Sequence, residues 1–595
     1  MALDPSPLKV APGLYTISTD RGSAGRWKNA DHVRFRHGLP EKIGGWLKSG
    51  ITTFLGMCRK LIDWQSLSFE KFIGLGTHLK LYVWKGGTYY NITPIRASGT
   101  LALNPIDTTN GSAVVNISHT AHGIDNDGTY VTFGGAAAVG GITIDGEYTV
   151  TEVLDVDNYT ITHSAAATST ATGGGAVVTY SYEIDVGEAD SVAGLGWGAG
   201  SWSESTWGTP RTLSSFLTAA RIWSLDTWGE DMIACPRDGG IYVWDTSTGT
   251  GTRATIISGA PAEAKQIMVS QENQHLIALG AHNGVALDPL LIRWATSEDY
   301  TGWTPSSTNS AGQKRLNTGH EIVGGLKTRK EILVFTNSHL WSMTFIGPPN
   351  TFAWEPLGLN GAIRGPNAMI EVNGVVYWMG EKDFHYYDGA IHILACEVHP
   401  TVFGNSNFIQ RAKTYAGYNR DFGEIWWFYC SAEATEVDRY VTYNVEEKLW
   451  SFGTLARTAF VGDSDIFLVP YATGTDGYLY DHETGTDSDA SAITATLESG
   501  DVEIQEGGML MIVTSLIPDF ETLTGSVDMR LKAKKYPHSS SYDSDSGALA
   551  VTSATEFINP RVKGRQVTLS ITSDAVGDAW RMGTNRIGLK AYGKK

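Results

Sequence analysis

Few stretches of this chain carry residues whose types and spacing could do chemistry. Gly194 to Gly200, GLGWGAG, has the alternating glycines of a loop that cradles phosphate. A phosphate loop also needs a following helix pattern and the Lys and Ser/Thr that hold the anion and its metal, and none of these follows, so the stretch reads as a tight Gly-Trp loop. Asp125-Asn126-Asp127-Gly128 opens like an oxygen cage for calcium. No Glu stands where an EF-hand closes, and an ordinary hairpin turn is expected there. The chain has 15 His and 63 Asp and Glu, yet neither G-x-S-x-G nor H-E-x-x-H occurs. A glycosidase pair or a nucleophile with its base shows no local signature either. The sequence therefore assigns no catalytic residue, no cofactor and no metal ligand, and the expectation is of a protein that is not an enzyme.

Four cysteines, Cys58, Cys235, Cys396 and Cys430, stand far apart without a C-x-x-C pair. Neither a zinc knuckle nor a disulfide scaffold is indicated, and a chain made in a reducing cytoplasm is expected. The start, MALDPSPLKVAPG, shows no basic and apolar leader, and no run approaches 18 apolar residues, so no membrane-spanning segment is expected.

Residues suited to contact rather than catalysis are easier to find. In Asn29 to Trp46, NADHVRFRHGLPEKIGGW, Val33 and Phe35 alternate with Arg34 and Arg36. A strand there puts both arginines on one face and the apolar pair on the other, with Gly38, Gly44 and Gly45 supplying turns. Further on, Trp197, Trp202 and Trp207 recur every five residues in a Gly-rich stretch without apolar neighbours, as in a loop that docks on something larger. Arg34, Arg36, Trp197, Trp202 and Trp207 are the candidate subunit-interface residues. Exposed Trp and Tyr also suit sugar stacking, although packing within the fold accounts for most such rings.

The elements that must position these residues repeat. An aromatic strand returns as LYVW at Leu81, IYVW at Ile241, LIRW at Leu291, ILVF at Ile332, VVYW at Val375 and EIWW at Glu424. Behind several lie a Gly, Asn or Asp turn and a second aromatic strand, such as Thr88-Tyr89-Tyr90 after Lys85-Gly86-Gly87, which is the form of a β-hairpin. From Trp244 the anchors fall at 294, 335, 378 and 427, at intervals of 50, 41, 43 and 49, and another strand is expected at Tyr478 to Tyr480. Four-stranded propeller blades consume about 40 to 50 residues each, so a β-propeller leads, with irregular β-sandwich arrays as the alternative source of such spacing.

At 595 residues the chain exceeds one core, and about three to five domains are expected. Its charged fraction of 18% is below the roughly 25% usual for soluble domains, which suits a surface hidden in an assembly. The net charge of -18 is uneven: residues 1 to 60 carry ten Lys and Arg against four Asp and Glu, and residues 511 to 595 carry twelve against eight. The stretch from 61 to 510 is left with 23 basic and 51 acidic residues, a body that repels phosphate. Between Ala97 and Pro210 there is no Lys or Arg but thirteen Asp and Glu, which marks an inserted module, with strands expected at 113–117, 129–133, 147–150, 159–162 and 176–182. The expected fold is all-β: an N-terminal extended segment (1–60), a propeller-like body (61–96 and 183–490), the inserted small β-sandwich module (97–182) and a C-terminal β domain (491–595).

The Asn29 to Trp46 stretch, the first hairpin GLGTHLKLYVWKGGTYYNITPI at Gly74 to Ile95, and the Trp-Gly loop followed by repeated hairpins together resemble the tail hub, nozzle or packaged-DNA stabilisation proteins of short-tailed bacteriophages. The resemblance spans about residues 10 to 480, and GGITIDGEYTVTEV at Gly140 to Val153 is similar to the small β domains that decorate phage tail proteins. It implies a structural virion protein in the viral tail, made in the host cytoplasm. The implied form is a homohexamer below the portal and adaptor ring, in contact with tail fibres or spikes, whose channel retains the genomic DNA and conducts it at DNA ejection without sequence-specific binding. Two other classes stay open: a carbohydrate-binding or glycan-cleaving β-propeller, and an adhesin of β modules.

Overall fold

The computed structural model describes residues 6–19, 22–125, 127–192, 219–270, 272–359, 361–462, 464–503, 509–539 and 541–593. These residues are strands and turns almost throughout, with one short α-helix at His399–Phe403 and three single turns of 3-10 helix. The architecture is a propeller-like body of small antiparallel sheets with an inserted β module and a C-terminal β domain. Internal contacts divide the chain into two units, residues 52–327 with 344–353, and residues 1–51 with 328–343 and 354–595.

In the first of these units three blades follow one plan. The first has strands Cys58–Gln65, Lys71–Thr77, Leu81–Lys85 and Thr88–Asn91, each paired antiparallel to the next. Its last turn is Gly86-Gly87, with φ of 58° and 89°, between the paired residues Lys85 and Thr88. A two-residue turn with both φ positive matches strand twist, and glycine adopts it without strain. Trp223–Trp228, Asp231–Pro236, Tyr242–Trp244 and Thr255–Ile256 form the second blade, and Ala264–Val269, Leu276–Ala281, Leu291–Trp294 and Gly312–Arg315 the third. The core between the first two is aromatic: Phe72 stacks on Trp64 at 5.4 Å, and the Trp244 ring meets both edge-on at 6.2 and 5.8 Å.

The module inserts between the first two blades. Its eight strands run Ile95–Thr100, Ile106–Thr108, Val114–Ser118, Tyr130–Gly134, Gly146–Val153, Asn158–Thr162, Ala171–Gly173 and Thr179–Glu183, around a core that includes Ile117, Val131, Phe133, Tyr159 and Tyr182. Gly146–Val153 bulges between Val150 and Glu152 and pairs with Tyr130–Gly134 and with Asn158–Thr162, passing from one sheet of the sandwich to the other. The sequence expectation missed Ile95–Thr100, Ile106–Thr108 and Ala171–Gly173, whose residues alternate too little to signal a strand. The first and last strands pair, Ile95 opposite Glu183, so chain entry and exit share one point.

The other unit holds strand Ile332–Thr336 and residues 339–343 of the strand paired with it, in which Ile332 pairs with Met343 and Phe335 with Leu340. Two blades follow: Met369–Val372, Val375–Met379, Phe384–Tyr387, Ile391–Leu394; then Tyr415–Asn419, Glu424–Tyr429, Arg439–Asn444, Trp450–Thr454. Arg457–Val461, Tyr471–Gly474 and Leu479–His482 begin a last blade, and its fourth strand comes from the far end of the sequence, Trp46–Lys48, with Leu47 opposite Asp481. First strands thus begin at 223 and 264 in one unit and at 369, 415 and 457 in the other. The aromatic anchors drift about this repeat because they sit on third strands early in the chain and on second strands later.

The described strands of residues 1–60 join sheets completed by later parts of the chain. Ser6–Pro7 pairs with Arg586–Gly593, and Arg26–Asp31 lies between Ala11–Leu14 and Ala495–Ser499. The hairpin Val33–Arg36 with Leu39–Lys42 extends the pair Ala579–Met582 and Phe520–Thr524. The C-terminal β domain is therefore built from both ends of the chain, around Leu497, Met529, Leu531, Leu569 and Ile571.

Glycine serves close approach where blades meet. A Cβ on Gly76 would overlap the Trp223 ring of the next blade, whose indole N–H donates to Thr77 O at 2.7 Å, and a Cβ on Gly417 would overlap the Phe460 ring. Both partner rings are buried, so they have nowhere to move. Gly76→Ala or Gly417→Ala should each cost about 1–3 kcal/mol as overpacking, read as a lower melting temperature; an unchanged melt would show that these sockets are loose. Replacing Ala97–Tyr182 with a short Gly-Ser bridge should leave a soluble protein with a cooperative melt, because entry and exit already lie side by side. An insoluble product would make the module integral to its host.

Candidate functional site

The Asn29 to Trp46 stretch leads to a cluster of charge in the second unit. His37-Gly38 forms the turn of its hairpin, with φ of 50° and 73°, and the Glu447 carboxylate accepts from both turn amides at 2.5 and 3.0 Å. That turn fixes the register: Arg34 opposite Glu41, and Glu41 in turn opposite Arg581, whose Nη1 lies 3.0 Å from Glu521. Charges of opposite sign thus alternate across the sheet, the favourable arrangement for cross-strand neighbours.

Arg34 is 2% exposed. Its Nη1 donates to Glu483 Oε2 at 3.1 Å, its Nη2 donates to Glu483 Oε1, and its Nε lies 3.4 Å from Glu424 Oε2. The Phe422 ring lies 3.6 Å from the guanidinium carbon. Glu483 is held further by Asn419 Nδ2 at 3.1 Å and by Gly44 N at 3.2 Å, and Glu424 accepts from the Trp426 indole at 3.2 Å. Burial alone would lower the basicity of Arg34, and Glu424 and Glu483 more than reverse that, holding the guanidinium above its ordinary value. Burial pushes the Glu424 carboxyl up to about 7 against the pull of Arg34, with Glu483 and Glu41 adding to the rise. Glu41 is raised too, by burial, opposed by Arg34, Arg36 and Arg581.

Beside this centre His482 is buried, and its Nε2 accepts from Arg457 Nε at 2.9 Å. Burial, with the charges of Arg457 and Arg34, holds the imidazole well below its ordinary value and keeps it neutral. Arg457 packs over Tyr480 at 4.3 Å and Trp46 at 5.0 Å, so the closing strand is gripped by the same network.

The first unit has a counterpart where the module joins. Lys80 Nζ, in a buried side chain, lies 2.7 Å from Glu147 and 3.3 Å from Glu183, and its ammonium sits 3.8 Å from the Tyr130 ring centre. Glu183 also accepts from Arg253 at 2.8 Å and from Asn91 at 2.9 Å. In both centres each carboxylate is taken up by cations and amides, and no nucleophile stands beside a base. What these arrangements do is hold strands in register.

Of the interface candidates, Arg34 is sealed within its own chain, because the carboxylates of Glu424 and Glu483 draw it inward, and it offers nothing to a neighbour. Arg36 shares its face, 5.2 Å from the same Phe422 ring, and is exposed. Trp197, Trp202 and Trp207 lie outside the described residues. Sequence reasoning missed Glu41, Glu424, Glu483 and Arg581. Glu41 follows from the His-Gly turn once Arg34 is placed, and Glu424 is a lone carboxylate heading five apolar residues, itself a sign of a buried ion. Glu483 and Arg581 come from distant sequence with no local signal. The four cysteines form no disulfide, the described residues contain no cluster of three or more His, Cys, Asp and Glu suited to a metal, and none of their helices is long and apolar enough to cross a membrane.

No family model matches the chain, and no curated protein matches it. Among solved structures it is similar to Hsv2 of Kluyveromyces lactis, at 8% identity over 48% of this chain and 94% of that one, with a TM-score of 0.29. A chain of the mitotic checkpoint complex matches at 8% identity over 66% of this chain and 95% of that one, with a TM-score of 0.31. The endosialidase of phage phi92 matches at 13% identity over 81% and 75%, with a TM-score of 0.21. No residue role is carried over from any of them.

Two buried groups set opposite pH dependences. Glu424, raised to about 7, binds its proton more tightly folded than unfolded, so its contribution to stability falls as pH rises from about 4.5 to about 7, by about 3 kcal/mol at most. His482, lowered, contributes stability that is present above its unfolded value near 6.5 and lost as pH falls below it. Glu424→Gln should therefore move the pH of the highest melting temperature upward. Arg34→Met should cost about 3–5 kcal/mol at neutral pH, since it strands two buried carboxylates; thermal melts between about pH 5 and 8 check both.

Proposed function

We propose that this chain is a structural virion protein, the subunit of a hexameric tail nozzle or hub of a short-tailed bacteriophage, whose channel retains the genome and then conducts it. The observation that carries the reading is the charge pattern: 23 basic against 51 acidic residues between 61 and 510, with basic excess at both ends. A basic channel would gather phosphates, release counterions and hold the DNA, whereas an acidic wall lets a polyanion pass.

The architecture supports it. The Asn29 to Trp46 stretch, which carries much of the family resemblance, supplies the strand that completes the last blade and the Arg34 centre that fastens it. A part that must hold against genome pressure gains from having an N-terminal strand bound into its last blade. The portal and adaptor ring, and fibres or spikes, are the partners that the resemblance implies, and the site is the virion tail.

Electron micrographs of purified protein, or of tails carrying it, should show rings with sixfold symmetry. The free protein should bind duplex DNA weakly even at low ionic strength. Tight DNA binding by the wild type would contradict the conduit, and selective binding in a glycan screen by a protein that forms no rings would favour the carbohydrate-binding propeller.

A further inference from the structure

Arg364 is buried without an acceptor suited to its charge, which sets it apart from Arg34 and Arg457. It is 2% exposed and stands in the segment that leads into the strand Met369–Val372. Its backbone N–H donates to Met379 O at 3.0 Å, which fixes where the side chain starts. At the guanidinium, Nη1 meets the Met379 thioether at 3.9 Å, a weak acceptor, and Nε is buried with no hydrogen-bond partner. Arg34, by contrast, has two glutamates, and Arg457 has His482 Nε2, Ala456 O and two aromatic rings. Among the described residues, the carboxylate that acts on Arg364 is Glu381, which is exposed and outside ion-pair distance. Burial lowers the guanidinium to about 10 against a partial offset from Tyr429 and Cys430, and the charge of Arg411 lowers it further. At neutral pH a full cation is therefore held out of water with no counter-ion from its own chain, an arrangement that costs several kcal/mol unless something neutralises it.

We propose that the Arg364 guanidinium, with Arg411 and the Tyr429 hydroxyl, forms a binding site for a phosphate-sized oxyanion. The backbone brings the two arginines together: a Cβ on Gly365 would lie 3.0 Å from Arg411 O and 2.9 Å from Ala412 O. Arg411 is half-buried, its Nη1 donates to Phe408 O at a long 3.5 Å, and its guanidinium carbon lies 4.3 Å from the Phe408 ring centre. Among the described residues no carboxylate pairs with it either. Tyr429 is buried, and burial raises its hydroxyl to about 12, so it keeps the proton it would donate. The acid that acts on Tyr429, Asp438, is already taken up: it accepts from Ser431 N and Oγ at 2.7 Å each and lies 3.6 Å from Arg439 Nε. Two guanidinia and a phenol thus supply more donors than the chain supplies acceptors. Two positive charges match an oxyanion of two negative charges, whose oxygens take several N–H bonds at once in the fork geometry of arginine. Water fits a polar gap as well but leaves the buried charge unneutralised. The ligand class is free phosphate or sulfate, or the terminal phosphate of a larger molecule, and the site stands independently of the tail reading.

The test titrates the full-length chain with inorganic phosphate, sulfate and a nucleoside monophosphate in a calorimeter, and melts it in each anion against chloride at the same ionic strength. Wild type should bind phosphate or sulfate and melt higher in that anion than in chloride, because a ligand of the folded state stabilises it by mass action. Arg364→Met keeps much of the side-chain volume and removes the charge. It should bind at least about tenfold more weakly and lose the anion-dependent rise in melting temperature. Arg411→Met should weaken binding as well. A nucleoside monophosphate that binds as phosphate does shows a site open to larger molecules, and one that fails where phosphate binds restricts it to the free ion; either result supports the site. Wild type that gives no heat and melts alike in phosphate and chloride overturns the proposal. So does binding of unchanged strength in Arg364→Met. An Arg364→Met protein that melts higher than wild type in every anion, with no anion effect in wild type, assigns the guanidinium to water and overturns it too. Should Arg364→Met fail to fold, Arg364→Lys keeps the charge but loses the fork and carries the same comparison, while the wild-type titration decides by itself.

Discussion

The buried guanidinium of Arg34 is the constraint on which much of the second unit depends. Taking such a charge out of water costs several kcal/mol, and the cost is offset only where its partners stand in good geometry. Here the partners are Glu483 after the last blade, Glu424 in the blade before it, and Phe422 over the guanidinium face. The Arg34 segment lies hundreds of residues before the other two, and all three must arrive together, or an unpaired ion is left in a dry interior. The hairpin that presents Arg34 is itself fixed at its turn by Glu447, so the constraint reaches from the N-terminal segment to the sheets on either side.

An aromatic protein of repeated sheets has particular need of this. Blades that bury Trp, Phe and Tyr are interchangeable to the hydrophobic effect, which is proportional to area and blind to direction. A misplaced strand would still bury its rings. It would not satisfy a guanidinium fork or the two carboxylates on Lys80, so we read the two ion centres as devices of register, one at the closing strand and one where the module enters. The interlocked glycine and aromatic sockets, Gly76 on Trp223 and Gly417 on Phe460, act in the same sense by shape.

Much of the fold is legible in the sequence because it is local. The Gly86-Gly87 and His37-Gly38 turns announce their hairpins, and the absence of Lys and Arg announces the module. What escapes is what depends on partners far along the chain. Nothing in WLK at Trp46 says that it will complete a blade more than four hundred residues away, and nothing near Arg34 says whether its charge faces water or Glu483. The alternation of Val33 and Phe35 placed both arginines on one face, as the structure has them, but a two-sided strand does not tell which face is covered. Glu424 was hidden by its neighbours: among Ile425, Trp426, Trp427, Phe428 and Tyr429 it reads as the edge of an aromatic strand.

The same economy of cations bears on the acidic body. A chain with 45 basic and 63 acidic residues has carboxylates left over once its cations are spent. Each Lys or Arg drawn into an internal pair, as at Lys80, Arg253, Lys327 and Lys413, takes at least one carboxylate with it, so the acidic excess comes from the composition and not from the pairing. An excess of like charge repels itself, which disfavours the compact state and favours solubility. The basic excess of residues 1–60 and 511–595 lies in segments that pair with each other in the fold, so the two ends share sheets that the acidic stretch between them does not enter to the same extent.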